Sequence, residues 1–418
     1  MTDSKTEPAL WARWSDGAVG KAFVDGTHRT QTPEATLRAL APLAKGMGIT
    51  RIANITGLDV IGVPVVAVTR PNSRSVAVAQ GKGVDLNAAK VSGLMEAIEN
   101  FHAERIRAPL LLLTWEEMCQ RGAVIDVSRL PRSAGGAFDS KGRILWIQGH
   151  EALGRRSVWL PFELVHTDYT APLPSMSGAF LMSDSGVASG NHPLEAISHA
   201  VCELVERDAV TLWHYATDSD RQRTRIDLDT VNDAVCRWTL DRFAQADVRV
   251  AVWEVTSDVG IPAFLCTIMD AEPSPWRPLL PATGTGCHPC REVALSRALT
   301  EAAQTRLTVI AGSRDDIGLD FYRRGADRDG VTKHLALMAC PVAREFEDGP
   351  SHEAQTLNED VSWELDSLQR VGVEEIAIVD LMLPEYRIPV VRVVIPGLEG
   401  MHDAAGFVAG QRVRTRYT

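Results

Sequence analysis

The chain reads as an α+β protein with helices packed on mainly antiparallel sheets, and three observations predict it. Its 418 residues hold many short, β-branched runs of strand length. Three of these runs open alike, at Gly62-Val-Pro-Val65, Gly260-Ile-Pro-Ala263 and Arg387-Ile-Pro-Val390, with proline where the first position of a strand tolerates it. Three longer segments have helical periodicity, and each carries a row of polar residues along one face. The units are spaced too irregularly for a solenoid.

Composition narrows the function. A hydrophobic content of 45% is enough for a substantial core, and a net charge of −11 argues against nucleic acid or an anionic membrane as the main partner. No apolar run approaches the length of a membrane span, and the polar N-terminus lacks a secretory pattern, so a soluble, cytoplasmic protein is expected. Seven cysteines, an odd number, fit a reducing compartment. Cys287-His-Pro-Cys290 has the CxxC form without a second CxxC to complete a zinc site; two incidental thiols are expected, with a redox or sulfur-carrying pair as the alternative.

Residues 1–20 are polar and aperiodic, a loosely held extension. Thr32 caps a helix expected over roughly 33–46, with Pro33 at its first position and Arg29 and Thr36 placed to meet an anion. Strands are expected at 49–56, 62–69 and 75–79, after which Gly81-Lys82-Gly83 turns the chain into a helix. Lys82 could reach phosphate there, although the full Walker spacing is absent. Residues 108–190 read as a strand-rich insert ending in a flexible Ser/Gly segment, 183–190, that brings backbone close to a ligand. Pro193 opens the long central helix. A helix at 227–245 and strands at 248–256 and 261–269 follow, then a third polar-rowed helix through 293–304 and a polar loop at 312–316. A charged stretch, 320–362, precedes a helix at 362–371, strands at 375–380 and 390–395, and a basic tail, 411–418, expected to be solvated.

The rows carry the chemistry. On the central helix Glu195, His199, Glu203 and Glu206 fall on one stripe; Ser92, Glu96 and Glu99 repeat the pattern on the first helix and Arg297, Glu301 and Gln304 on the third. Carboxylates crowded on helices that face one another repel unless cations intervene, and Mg²⁺ binds a few carboxylates while keeping positions for water and phosphate oxygens. The rows therefore predict a metal-nucleotide site without naming the nucleotide.

These residues also carry a resemblance. Ser92-x3-Glu96-x2-Glu99, Asn191-x3-Glu195-x7-Glu203-x2-Glu206-Arg207 and Arg297-x3-Glu301 resemble the three motifs of the YcaO family, with Asn100 where the first motif ends in arginine. The resemblance covers roughly residues 20–402 and implies a YcaO-type fold with an ATP site lined by three helices: an extension over 1–20, one catalytic ATP-binding domain over 21–402 and a tail over 403–418. It implies Mg²⁺ held by Glu96, Glu99, Glu195, Glu203 and Glu206. It implies ATP contacts from Arg29, Thr36, Ser92, Asn191, Arg207, Arg297 and Gln304, to which Lys82 adds the phosphate contact read from its own turn, with Arg207, Arg297 and Glu301 in catalytic positions.

Gly26-Thr-His-Arg29, Gly57-Leu-Asp59, Arg70-Pro-Asn-Ser73, Thr300-Glu-Ala-Ala-Gln-Thr-Arg306 and Pro396-Gly-Leu-Glu-Gly400 are most similar to the stand-alone members that work with a TfuA protein. That likeness implies ATP-dependent phosphorylation of a peptide amide oxygen, a thioamide product, a TfuA-like partner, a peptide or protein substrate and a sulfide or sulfur donor, with a homodimer among the expected assemblies. An azoline-forming cyclodehydratase acting on Cys, Ser or Thr of a precursor peptide is the alternative, and a non-catalytic ATP-binding scaffold for a sulfur-transfer partner the third reading.

Overall fold

A computed structural model describes residues 17–272, 279–319, 322 and 328–417. The first unit comprises helix α1 (Pro33–Ala44), strands β1 (Arg51–Asn54), β2 (Val65–Thr69) and β3 (Val78–Lys82), and helix α2 (Leu86–Ala103). Next come β4 (Leu110–Leu113), α3 (Trp115–Arg121), β5 (Ile144–Glu151), β6 (Arg156–Pro161), β7 (Val187–Ser189), the long α4 (Pro193–Tyr215) and the short α5 (Asp218–Gln222). A second unit repeats the first: α6 (Ala234–Gln245), β8 (Val248–Glu254), β9 (Ala263–Asp270), β10 (Ala282–Cys287) and α7 (Arg291–Ala311). The chain closes with α8 (Arg328–Met338), α9 (Leu357–Arg370), β11 (Ala377–Asp380), β12 (Val390–Val394) and α10 (Gln411–Tyr417).

Every strand pair is antiparallel. β1-β2-β3 and β10-β9-β8 form two three-stranded meanders, and a six-stranded sheet runs β4-β5-β11-β12-β7 with β6 on β5. The stretch at 108–190 is thus no separate insert: β5 pairs with β11, so its strands belong to the main sheet. Each meander carries its polar-rowed helix, α2 on β3 and α7 on β10, while α4 lies on β12, β7 and β10. The three helices converge because the three sheets do.

The threefold opening is structural. Gly62 and Gly260 hold left-handed φ of 77° and 79° before β2 and β9, and Arg387 holds φ 54° before β12. The same backbone turn feeds all three strands, at a conformational cost for arginine that glycine does not incur.

Two glycines set the depth of the helices. A Cβ on Gly81 of β3 would lie 2.1 Å from the Ala89 carbonyl oxygen and the Gly93 nitrogen of α2, and one on Gly284 of β10 would lie 2.2 Å from the Ala302 nitrogen of α7. Helix backbone therefore rests directly on strand backbone. This corrects the turn expected at Gly81-Lys82-Gly83: Gly81 and Lys82 are in β3, displaced from the expected 75–79 because the seat for α2 has to lie there.

Local chemistry accounts for the helix ends. The Asp85 carboxylate accepts from the Ala88 N–H at 2.8 Å, and the His192 ring caps α4 ahead of Pro193. α9 begins at Leu357, five residues before the expected start, because Thr356 and Glu359 form a capping box. α6 begins only after Asp233, which caps it, the residues before it forming a short 3-10 turn at Leu228–Thr230. The tail is only partly solvated: α10 docks on α4 through Arg412, which pairs with buried Asp208 at 2.8 Å, and through buried Val413, while Gln411, Arg414, Thr415 and Arg416 are exposed. Residues 1–16 of the expected extension lie outside the described residues, while Val19 is tied to α9, where its N–H reaches Asn358 at 2.8 Å.

Candidate active site in a cleft lined by three helices

The rows of α2, α4 and α7 face one cleft, which runs from a closed end to an open mouth. At the closed end Glu195, only 1% exposed, accepts from the Thr30 N–H at 2.5 Å, the Thr30 hydroxyl at 2.7 Å and the Asn191 N–H at 2.9 Å. Thr36 donates to the Asn191 side-chain oxygen at 3.0 Å. Arg29 lies deep beside Glu195 and Arg297, and the His28 and His288 rings meet edge to face at 4.9 Å. The Arg297 guanidinium donates to the Cys287 carbonyl at 3.1 Å.

The middle is charge-balanced. Lys82 pairs with Glu301, Arg207 lies 3.2 Å from Glu206 and 3.3 Å from Glu203, and Thr285 donates to Glu206 at 2.7 Å. The Ser92 hydroxyl accepts from the Lys82 backbone N–H at 3.3 Å.

The mouth is acidic. Glu99 accepts from the Ser189 N–H and hydroxyl at 2.8 and 2.7 Å, Glu203 from the Gly186 N–H at 3.0 Å and Glu96 from the Gln80 N–H at 3.4 Å. The expected flexible segment at 183–190 is in fact β7 and its approach, fixed on β12, where Arg392 donates to the Ser183 carbonyl at 2.8 Å. Exposed Asp184 adds a further carboxylate, acting on Glu96 and Glu203.

Burial dominates the electrostatics. It pushes Glu99 up to about 8 and Glu96 up to about 7, with Glu96 and Glu203 adding repulsion at Glu99. Burial likewise raises Glu203 and Glu206. Glu301 goes the other way: Lys82 and Arg207 outweigh its burial and hold it below the ordinary carboxylate value. Despite its own burial, Arg207 is held more firmly protonated by Glu206 and Glu203. Burial and the cations Arg297, Arg29 and Lys82 keep His199 neutral.

These residues fit a divalent ion. Among the described residues no three His, Cys, Asp or Glu side chains close into a cage of their own. Magnesium does not require one, since it keeps several waters and takes phosphate oxygens alongside one or two carboxylates. Carboxyls that burial lifts to about 7 and about 8 are groups whose ionised form a cation at the mouth would restore.

Every position anticipated from the motifs lies on or beside this cleft except that Gln304, on the α7 row, shows no side-chain hydrogen bond among the described residues. The thiols of the CxxC part company: Cys290 donates to Glu292 at 2.9 Å, Cys287 lies by Cys202, and all seven cysteines are free. Sequence reasoning missed Thr30, Asp184, Ser189, Thr285 and Arg314. A local signal existed for Thr30 in its place beside Arg29, for Asp184 and Ser189 in the Ser/Gly stretch and for Arg314 in the polar loop; Thr285 had none.

Residues 80–399 match the family model for YcaO cyclodehydratase, ATP- and Mg²⁺-binding. The chain is 39% identical, over 90% of its length and 89% of the relative's, to the protein in the tfuA 3′ region of Rhizobium leguminosarum bv. trifolii. It is 32% identical to a Methanothermobacter thermautotrophicus protein over 88% of this chain and 94% of that one. Among solved structures, a heterocyclase in complex with substrate and cofactor superposes with a TM-score of 0.78 at 23% identity, over 95% of this chain and 55% of its own. YcaO from Methanopyrus kandleri, bound with AMPPCP and Mg²⁺, superposes with a TM-score of 0.74 at 20% identity, over 94% and 99%. No helix among the described residues is long and apolar enough to cross a membrane.

Proposed function

The chain belongs to the YcaO family of ATP- and Mg²⁺-binding proteins, and from that premise we propose that it phosphorylates the oxygen of a peptide backbone amide and, with a TfuA-like partner and a sulfide source, converts the amide to a thioamide. The observation that carries the phosphoryl-transfer part is the division of charge in the cleft: at the mouth Glu96 and Glu99 have no ion-pair partner among the described residues, whereas Glu203, Glu206, Glu301, Lys82 and Arg207 balance one another in the middle. The thioamide part is supported by the tfuA neighbourhood of the Rhizobium relative.

In this reading Glu96, Glu99, Glu195, Glu203 and Glu206 hold Mg²⁺, which when bound neutralises phosphate charge. Arg29, Thr36, Lys82, Ser92, Asn191 and Arg297 position the nucleotide. Hydrosulfide adds to the amide carbon, and the resulting oxyanion takes the γ-phosphoryl group as its bond to ADP breaks. Loss of phosphate with the sulfur-bound proton leaves C=S. Lys82, Arg207 and Arg297 offset charge spreading over the phosphoryl oxygens, so positioning and electrostatics supply the catalysis and no side-chain nucleophile is required. Glu301 holds Lys82 and Arg207 in place.

The likeness in fold to a heterocyclase favours a second reading, azoline formation through the same activated oxygen. Intact mass of a precursor peptide after incubation with this protein, the TfuA-like partner, MgATP and sulfide separates the two. An ATP-dependent gain of about 16 Da supports thioamidation and a loss of about 18 Da the azoline. No change, with MgATP binding intact and abolished in Glu203→Gln, supports the scaffold reading.

A further inference from the structure

The loop 312–316 that follows α7 is not used by the mechanism above, yet it reaches the acidic mouth. Gly312 ends α7 in the left-handed region, φ 56°, and turns the chain back toward β3, where the Ala77 N–H donates to the Asp315 carboxylate at 3.3 Å. The loop is thereby pinned beside α2. Its Arg314 side chain is 28% exposed and acts on both Glu96 and Asp184; no other cation acts on Glu96 as strongly. Its guanidinium is held by Asp316, with Nε 2.8 Å from Oδ1 and Nη2 on Oδ2.

Three features of this arrangement bear on chemistry. Of the cleft's other cations, Arg29 and Arg297 lie at the closed end and Lys82 and Arg207 in the middle, while Arg392, buried under the mouth, acts on Asp184 and Glu203 and donates to the Ser183 carbonyl. The mouth is the more open end: Asp184 is exposed and Tyr169, on which it acts, is 40% exposed, whereas Glu195 at the other end is 1% exposed. A peptide arriving from this end meets the nucleotide on its mouth side, where Arg314 stands opposite Lys82 and Arg207. Finally, the fork by which Arg314 grips Asp316 is the geometry with which guanidinium grips phosphoryl oxygens.

We propose that Arg314 is a catalytic residue of the phosphoryl transfer: in the free protein Asp316 occupies its fork, and on nucleotide binding the guanidinium exchanges that carboxylate for oxygens of the γ-phosphoryl group. It remains on those oxygens while the phosphorus–oxygen bond to ADP breaks and the bond to the amide oxygen forms. Arg314 contributes charge to the migrating group, and Asp316 holds it in reserve. This rests on reading the cleft as a MgATP site, and the test keeps the two apart.

Binding of MgADP and of Mg-AMPPCP is measured calorimetrically for the wild type, Arg314→Gln, Arg314→Lys and Asp316→Asn. Arg314→Gln is expected to weaken AMPPCP about 10- to 100-fold while leaving ADP within about twofold, the loss for one charged hydrogen-bonded contact to the third phosphate. Arg314→Lys recovers part of the loss as a point charge without the fork. Asp316→Asn leaves AMPPCP binding equal or tighter, because the competitor is gone. Retained ADP binding shows that each variant is folded. The proposal is overturned if Arg314→Gln weakens both nucleotides alike or neither, or if Asp316→Asn weakens AMPPCP as Arg314→Gln does, the signature of a structural ion pair. A wild type that binds neither nucleotide would remove the reading of the cleft itself.

Discussion

The unit β1–β3 with α2 and the unit β8–β10 with α7 share one plan and differ in charge. Each is a three-stranded antiparallel meander whose last strand seats a helix on glycine, and each second strand is entered through a left-handed glycine, Gly62 or Gly260. On that common frame α2 presents Glu96 and Glu99, which burial drives toward protonation, while α7 presents Glu301, which Lys82 and Arg207 hold ionised. The backbone sets where a carboxylate points; its neighbours decide whether it is available to a cation. Among the described residues the carboxylates of one wall have no ion-pair partner, and the carboxylate of the other is already paired.

The comparison is broken most severely at the seats. Gly81→Ala and Gly284→Ala are each expected to cost about 3 kcal/mol or more, because the new methyl meets backbone that cannot rotate aside. Urea unfolding measures both, and unequal losses would show that the two units are not equivalent. The charge difference is sharpened by paired neutral substitutions in metal-free protein at pH 9. Glu301→Gln leaves Lys82 and Arg207 without a shared counter-charge and should destabilise by about 1–3 kcal/mol. Glu99→Gln removes a carboxylate forced to ionise in a buried site and should stabilise, so thermal unfolding is expected to move in opposite directions for the two variants.

Acidity follows with a definite sign. The folded values of about 7 for Glu96 and about 8 for Glu99 exceed the ordinary 4.5, so between those limits the folded metal-free protein holds more protons than the unfolded chain. The contribution of these two groups to stability is present at low pH and is lost as pH rises through about 7 and about 8. Magnesium with nucleotide, which requires the ionised forms, should expel protons on binding near pH 7 and bind more tightly toward pH 8.5. Calorimetry in buffers of different ionisation enthalpy counts those protons, and Glu99→Gln should release fewer. The smallest effect is at the third strand entrance, where Arg387→Gly relieves the left-handed arginine and should stabilise by up to about 1 kcal/mol in the same urea assay.

What the sequence made legible was whatever repeats at a fixed spacing. The three rows were visible because an i, i+4, i+7 pattern predicts a shared face regardless of context, and the recurrent x-Pro openings marked β2, β9 and β12. Partners contributed from far along the chain were invisible. Ser189 reaches Glu99 across 90 positions and Thr30 reaches Glu195 across 165, and no local pattern encodes such pairings. Ala282–Cys287 escaped notice as a strand because Thr-Gly-Thr-Gly has the composition of a turn; its glycines are required by the helix above them and not by a bend. The tail looked solvated because its arginines are conspicuous and the buried Asp208 that receives Arg412 is not.

The glycine seats also bear on how the protein tolerates mutational drift. Where side chains separate a helix from its sheet, each core substitution re-levels the helix by a fraction of an ångström, and anything mounted on it moves too. Beneath α2 and α7 no side chain intervenes at Gly81 and Gly284, so hydrophobic residues elsewhere in the core can be exchanged without altering the height at which Glu96, Glu99, Arg297 and Glu301 stand. Sequences of this architecture can diverge widely in their interiors while the spacing of the cleft's charges stays constant.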